Sequence, residues 1–325
     1  MKTIYPNKLK DGDIVQVIAP SNSAAIIKKS SQKIAQNVIS KELKLKVSFG
    51  KNIFETDILN SSSLKSKIDD LNNAFSNKKV KGIFCVTGGY NSNVLLKYIN
   101  WENIKSNPKP ISGFSDITLL ANAIYAKTGL VTYVGPNFST FGYKEGVDYI
   151  VEYFKKCLFS DKPFQILPSK MYGERKVAFK KNPGFKVVKN GSAEGTIIGG
   201  HLSTLNLLHG TEFMPSLRNT ILFIETDDFG GKNALYEFER DLQSLLHQKD
   251  SNKIKGFVFG RFQKGSGITV EKLKYIISSK SEIKNVPIIA NVDFGHAKPI
   301  ATIPIGGTAK IEANNKSSKI EILKH

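Results

Sequence analysis

Apolar residues along this chain follow two periodicities that alternate. Ile14–Ala19, Gly82–Thr87, Ile111–Phe114 and Leu130–Val134 are short apolar runs of the kind that form strands buried on both faces. Between them the spacing changes to three and four. Ile34, Val38, Ile39 and Leu43 fall on one helical face. Leu64, Ile68, Leu71 and Phe75 do the same, after a Ser-rich start that can cap a helix. Ile117–Lys127 is a further helical run. Strand and helix in alternation predict a mostly parallel sheet with helices on both faces.

The pattern breaks near residue 145. Tyr149–Leu158 is helical, and Ser160–Asn190, rich in Lys, Gly, Pro and Asn, reads as a linker with an exposed loop. From Gly195 the alternation resumes. Ser203–Leu208, Leu235–Leu246 and Val270–Ile277 read as helices, and Thr220–Glu225, Gly256–Phe259 and Pro287–Val292 as strands. Lys310–Ala313 and Lys319–Leu323 flank an Asn-Asn-Lys-Ser-Ser turn and predict a hairpin. The expected architecture is α/β: residues 1–145 as an N-terminal α/β domain, 146–194 as linker and loop, and 195–325 as a C-terminal mixed α/β domain.

A length of 325 residues fits two packed domains, and 40% hydrophobic content supplies a core. No apolar run reaches the roughly 18 residues of a membrane span, so no membrane partner is expected. Asp13 and Gln16 interrupt the first apolar stretch, which reads as a strand and not a signal peptide. Cys85 and Cys157 read as buried thiols of a reducing compartment. The formal charge of +19 raises nucleic-acid binding, but the cations are nearly all lysine. Only Arg175, Arg218, Arg240 and Arg261 carry the planar fork that phosphate and base recognition favours, and the lysines are spread among Asn and Ile. No nucleic-acid partner is expected. A positive field still attracts small anionic substrates.

Candidate chemistry begins at Ser115, in Gly113-Phe114-Ser115-Asp116, where a strand gives way to a helix. Such a turn exposes a hydroxyl and brings helix N-terminal N–H groups to it. The Gly-x-Ser-x-Gly elbow is half present, because Ile117 stands where its second glycine falls. On this fragment alone, Ser115 or Asp116 as a plain helix cap competes with a nucleophile. Of five histidines, His325 is terminal and expected to be mobile, and His247 and His209 sit at helix C-termini. His201 at a helix start and His296 in a loop after a strand are the candidate bases. Glu225 ends an apolar strand, where a carboxylate needs a partner. Asp227 and Asp228 compete for that role from a loop better suited to capping or solvent. Gly88-Gly89 allow a close backbone approach to a ligand, or simply a tight turn. No Cys/His pair has metal-ligand spacing, so neither a metal nor another cofactor is expected.

Taken in order, these fragments resemble the bacterial LD-carboxypeptidases and microcin C immunity peptidases over nearly the whole chain. The resemblance rests on Val17-Ile18-Ala19-Pro20-Ser21, Thr87-Gly88-Gly89-Tyr90-Asn91-Ser92-Asn93, Gly113–Thr118, Gly199-Gly200-His201-Leu202, Phe223-Ile224-Glu225, Phe294-Gly295-His296, Pro304 and Gly306. It implies a serine hydrolase with Ser115 as nucleophile, His296 as base and Glu225 orienting the imidazole, which leaves His201 outside the triad. Backbone N–H groups of Gly89 and Asp116 would form the oxyanion hole. Gly88, Tyr90, Asn91 and Tyr172 would contact substrate. The active site would lie between an N-terminal domain carrying the serine and a C-terminal domain carrying Glu and His, in a cytoplasmic homodimer. Implied substrates are a murein LD-peptide or a peptidyl- or aminoacyl-nucleotide, and the immunity-protein-like subgroup is favoured. That subgroup offers tryptophan in its central loop, whereas this chain has only Trp101, with Tyr172, Phe179 and Phe185 in the loop. The alternative is a ligand-binding member of the same fold with weak or absent turnover.

Overall fold

The first-half strands pair side by side in parallel, and the apolar runs among them form the central strands of the sheet. The paired strands are β1 (Ile14–Ile18), β2 (Lys46–Phe49), β3 (Val80–Cys85), β4 (Ile111–Gly113) and β5 (Thr132–Val134). Helices α1 (Lys29–Lys41), α2 (Leu64–Ser76), α3 (Trp101–Ser106) and α4 (Ile117–Thr128) connect or cover them, and α5 (Val147–Leu158) follows. This computed structural model describes residues 2–174, 177–315 and 317–325.

The remaining strands are β6 (Phe164–Gln165), β7 (Met171–Glu174), β8 (Val177–Lys181), β9 (Lys186–Lys189), β10 (Gly191–His201), β11 (Thr220–Glu225), β12 (Gly256–Gly260), β13 (Ile288–Val292), β14 (Ile303–Ile305), β15 (Thr308–Asn314) and β16 (Ser317–Lys324). The helices among them are α6 (Leu202–Asn206), α7 (Ala234–Leu246) and α8 (Val270–Ser278). The first sheet has the order β14-β5-β4-β3-β1-β2, with only β14 antiparallel. The second has the order β6-β16-β15-β10-β11-β12-β13-β9, with a parallel centre from β10 to β13. Strands β11 and β12 are buried along their whole length.

Beyond β2 and α3, which the pattern did not single out, three segments differ from the sequence expectation. The stretch from Ser160 to Asn190, expected as linker and loop, supplies β6 and β9 at opposite edges of the second sheet, and the β7–β8 hairpin. Edge strands are kept short or charged because a long apolar edge invites aggregation, and β6 with two residues and β9 with lysine at both ends show no strand periodicity. Strand β10 begins at Gly191, ahead of Gly195, and its glycines disguise it. Strand β14, from the C-terminal part of the chain, joins the first sheet through β5.

Helix α4 is buried on nearly every side, as its all-round apolar sequence dictates. It carries two buried polar contacts to β10 of the second sheet. Thr118 Oγ1 accepts the His201 N–H at 3.0 Å, and Asn122 donates to the Gly199 carbonyl at 2.8 Å. The strand order of the first sheet reverses between β1 and β3, and in open α/β sheets the crevice at the carboxyl ends beside such a reversal is the usual ligand site. Ser21, Gly88 and Ser115 follow β1, β3 and β4 at that end.

Candidate active site

Ser115 takes φ 64°, in the left-handed region. A non-glycine residue there costs about 1–2 kcal/mol, which surrounding structure must hold in place. The sharp strand-to-helix turn forms with Ile117 where an elbow's second glycine would stand, and Ser115 itself takes the left-handed conformation. The capping alternative holds for Asp116 by position only. Asp116 is the N-cap of α4 but makes no side-chain cap bond. Its buried carboxylate Oδ2 accepts from Ser21 Oγ at 2.5 Å and from the Ser92 N–H at 2.8 Å. Ser92 Oγ donates back to the Asp116 carbonyl at 2.9 Å. The loops after β1, β3 and β4 are thus tied into one floor.

His296 lies in the loop after β13, with Nε2 3.1 Å from Ser115 Oγ. Its Nδ1 is 2.8 Å from Glu225 Oε2, and its backbone N–H donates to the same oxygen at 3.1 Å. Glu225 is 1% exposed at the end of β11. Gly295, at φ 90°, is needed here: a Cβ on it would lie 2.4–2.5 Å from Glu225 Cγ, Cδ and Oε2. Burial works against the His296 imidazolium, but the Glu225 carboxylate outweighs it and holds the pKa above the ordinary value. Burial likewise opposes the Glu225 anion, and the His296 imidazole beside it brings the carboxyl below its usual range.

Both histidines left open by the sequence reach this place. His201 pairs with Glu225 in the β10–β11 register, and its ring centroid lies 5.0 Å from that of His296. His201 Nε2 is 3.3 Å from Asp227 Oδ2. Asp227, expected to cap or face solvent, is instead an inward partner. The register that sets Glu225 beside His201 brings Asp227, two residues on, to the same ring, and no local pattern marks it. No metal-ligand spacing is visible in sequence, yet His201, Asp227 and His296 offer ligand atoms within 4.8 Å of one another.

Gly88, Gly89, Tyr90, Ser115, Asp116, His201, Asp227, Phe229 and His296 line a cleft of about 1220 Å³. Asn91 and Tyr172, expected to contact substrate, are not among the lining residues. Asn91 Oδ1 accepts from Lys67 Nζ at 2.7 Å, and the Tyr172 ring lies 4.3 Å from the Arg261 guanidinium. His325, expected to be mobile, is 3% exposed, with Nδ1 2.7 Å from the Cys157 carbonyl oxygen and Lys8 donating to its own carbonyl at 2.6 Å. Trp101 packs on Phe213 at 5.7 Å.

A hydroxyl, an imidazole and a carboxylate bonded in series can carry out nucleophilic acyl transfer. On this two-sheet α/β fold they describe a hydrolase. The LD-carboxypeptidase N-terminal domain matches residues 15–135 and the LD-carboxypeptidase C-terminal domain matches residues 194–311, so the chain belongs to the LD-carboxypeptidase family, peptidase S66, of serine peptidases. It is 45% identical to the putative carboxypeptidase YocD of Bacillus subtilis, over 99% of this chain and 100% of that one. It is 30% identical to the microcin C7 self-immunity protein MccF of Escherichia coli, over 83% and 82%. Among solved structures, an MccF-like protein from Bacillus anthracis superposes with a TM-score of 0.97, at 45% identity over 99% and 100% of the two chains. MccF in complex with aspartyl sulfamoyl adenosine superposes with a TM-score of 0.88, at 28% identity over 99% of each chain. Among the described residues no helix is long and apolar enough to cross a membrane.

Proposed function

We propose that the chain is a serine amidase that cleaves the amide between an aminoacyl or peptidyl group and a nucleotide-like leaving group. Ser115 is the nucleophile, His296 the base and Glu225 the group that orients and stabilises the imidazolium. The observation that carries this reading is the unbroken series from Ser115 Oγ through His296 Nε2 and Nδ1 to the Glu225 carboxylate, at 3.1 and 2.8 Å. His296 takes the Ser115 proton as Oγ attacks the amide carbonyl carbon. The backbone N–H groups of Gly89 and Asp116, at the turn and helix start beside Ser115, receive the oxyanion. A donor of this kind is worth about 3–4 kcal/mol in other enzymes. The C–N bond breaks as His296 returns the proton to the leaving nitrogen, and water then releases the acyl group from Ser115.

Two observations support the nucleotide class. MccF, which this chain resembles in fold and sequence, is known in complex with aspartyl sulfamoyl adenosine. Tyr90 and Phe229, 77% and 62% exposed, place two rings at the cleft on which a base can stack. Lys264 and Lys298 also line the cleft and favour a second reading, a murein LD-peptide, whose terminal carboxylate they complement. The probable murein peptide carboxypeptidase of Bacillus subtilis is 29% identical over 97% of the chain.

Hydrolysis of an aminoacyl sulfamoyl adenosine and of a murein tetrapeptide, by the native chain and by Ser115→Ala, tests both readings. Turnover of the adenosine compound that is lost in Ser115→Ala supports the first, and turnover of the tetrapeptide alone supports the second. Failure to hydrolyse either substrate, with no labelling of Ser115 by a fluorophosphonate, makes the chain a binding member of the fold. The family resemblance further implies a cytoplasmic homodimer, and light scattering of the purified protein tests the dimer.

A further inference from the structure

His201 is 7% exposed, and its Nε2 is buried with no hydrogen-bond partner, only a 3.3 Å contact to Asp227 Oδ2. His201, Asp227 and His296 each offer a ligand atom within 4.8 Å of the others, at the cleft wall. Two imidazoles and a carboxylate are a donor set typical of Zn²⁺ and its neighbours. We infer that His201, Asp227 and His296 form a site for a divalent transition-metal ion, Zn²⁺ foremost, and that the ion inhibits hydrolysis by taking the His296 nitrogen that faces Ser115.

The distances fit after small movements. Ligand atoms around a tetrahedral ion at about 2.0–2.2 Å lie about 3.3–3.6 Å apart. The His201–Asp227 separation is already 3.3 Å, and all three atoms lie within 4.8 Å. Asp227 and His296 sit in the loops after β11 and β13, so the remaining approaches fall on segments outside the strands. The ligand rings are also held from behind. Glu225 Oε2 is 2.8 Å from His296 Nδ1, and Thr204 Oγ1 is 2.8 Å from His201 Nδ1. Such outer partners fix the tautomer of a metal-bound histidine, and their loss typically weakens metal binding about 10–100-fold. The tautomer that makes His296 a base, with its proton on Nδ1 toward Glu225, also leaves the Nε2 lone pair for a metal. Ser115 Oγ or a water completes the coordination from the open side. The carboxylates of Asp227 and Glu225 balance the ion's two charges.

The inhibitory part of this inference rests on the serine-amidase reading, and the metal site itself does not. The test therefore uses tag-free Ser115→Ala protein, which keeps all three ligands and has no nucleophile. Calorimetric titration with Zn²⁺ is expected to show one equivalent bound, and Co²⁺ to give the visible absorption of a four- or five-coordinate site. Adding Asp227→Asn or His201→Gln is expected to weaken binding at least about tenfold with unchanged circular dichroism. Glu225→Gln is expected to weaken it by about 10–100-fold without removing a ligand. Absence of binding to Ser115→Ala protein overturns the site. So does binding that persists in the His201→Gln/Asp227→Asn double variant, which would place the ion elsewhere. If the site binds Co²⁺ but Zn²⁺ leaves hydrolysis by the native chain untouched, inhibition is overturned. A chain that binds Co²⁺ and cleaves no amide refutes the amidase reading alone.

Discussion

Gly88 lies directly against Ser115: a Cβ placed on Gly88 would sit 2.7 Å from Ser115 Cβ and 2.9 Å from its Oγ. The two residues belong to loops that follow different strands, β3 and β4. Gly88→Ala should push the hydroxyl out of line with His296. Misplacing a reacting group by about 1 Å can cost about 10²-fold in rate, so kcat/KM should fall by at least that factor. The overpacking itself should cost about 1–3 kcal/mol. Steady-state kinetics with urea unfolding separates the two effects. Wild-type kcat/KM in a folded Gly88→Ala would contradict the close approach.

The left-handed conformation of Ser115 makes a second prediction. Ser115→Ala removes the hydroxyl and keeps the strain, whereas Ser115→Gly removes both. The glycine variant should be the more stable by about 1 kcal/mol, although glycine usually destabilises through unfolded-state entropy. Both should lack turnover. Parallel urea titrations check the order, and an alanine variant at least as stable as the glycine one would place Ser115 elsewhere on the backbone map.

The ion pair between His296 and Glu225 sets the pH dependence. With its pKa raised by Glu225 against the opposing effect of burial, His296 stays protonated, and idle as a base, further up the acid range. The kcat/KM should therefore rise with pH through a midpoint above about 6.5, the ordinary histidine value. Glu225→Gln removes the anion, so the midpoint should move to lower pH. The rate should fall as well, by up to about 10⁴, because the imidazolium loses its partner. A pH profile of the variant with an unshifted midpoint would argue that Glu225 does not act through His296.

Three residues before His296, Asp293 anchors the same loop. Arg261 Nη2 donates to its Oδ1 at 3.0 Å, and the two side chains are 4% and 1% exposed. Asp293 Oδ2 accepts from the Ser169 N–H at 2.7 Å and from Asn182 Nδ2 at 2.9 Å, which ties in both ends of the β7–β8 hairpin. Arg261→Met strands a buried carboxylate and should cost about 3–5 kcal/mol. Arg261→Met with Asp293→Leu should recover part of the loss. Burial pushes the Asp293 carboxyl above its usual range even with Arg261 present, and removing the cation raises it further. The single variant's deficit should therefore shrink at acid pH, where the carboxyl protonates. Urea unfolding at several pH values, in a double-mutant cycle, measures this, and a pH-independent deficit would contradict it.

Local pattern was enough for the elements whose residues all answer to one buried environment. The apolar runs that became β1, β3, β11, β12 and β13 are buried on both faces, and the helices α1, α2, α7 and α8 bury one stripe each. Periodicity records those environments directly. Strands β6, β9 and β10 were not legible in this way. The first is a two-residue edge, the second an edge with lysine at both ends, and the third is rich in glycine where it passes close to α4 and β11.

The order of Ser115, Glu225 and His296 along the chain pointed to a hydrolase through resemblance, while local spacing left Ser115 a plausible cap and His201 a competing base. Only the tertiary structure brought Ser115 and His296 to 3.1 Å, because that distance depends on how the loops after β4 and β13 meet across the two sheets. It also turned Ser115 left-handed, turned Asp227 inward and buried the terminal His325. Hydrophobic pattern is set by the environment of each residue and can be read one segment at a time. A site made from three loops of two sheets depends on the packing between those segments, which no single segment encodes.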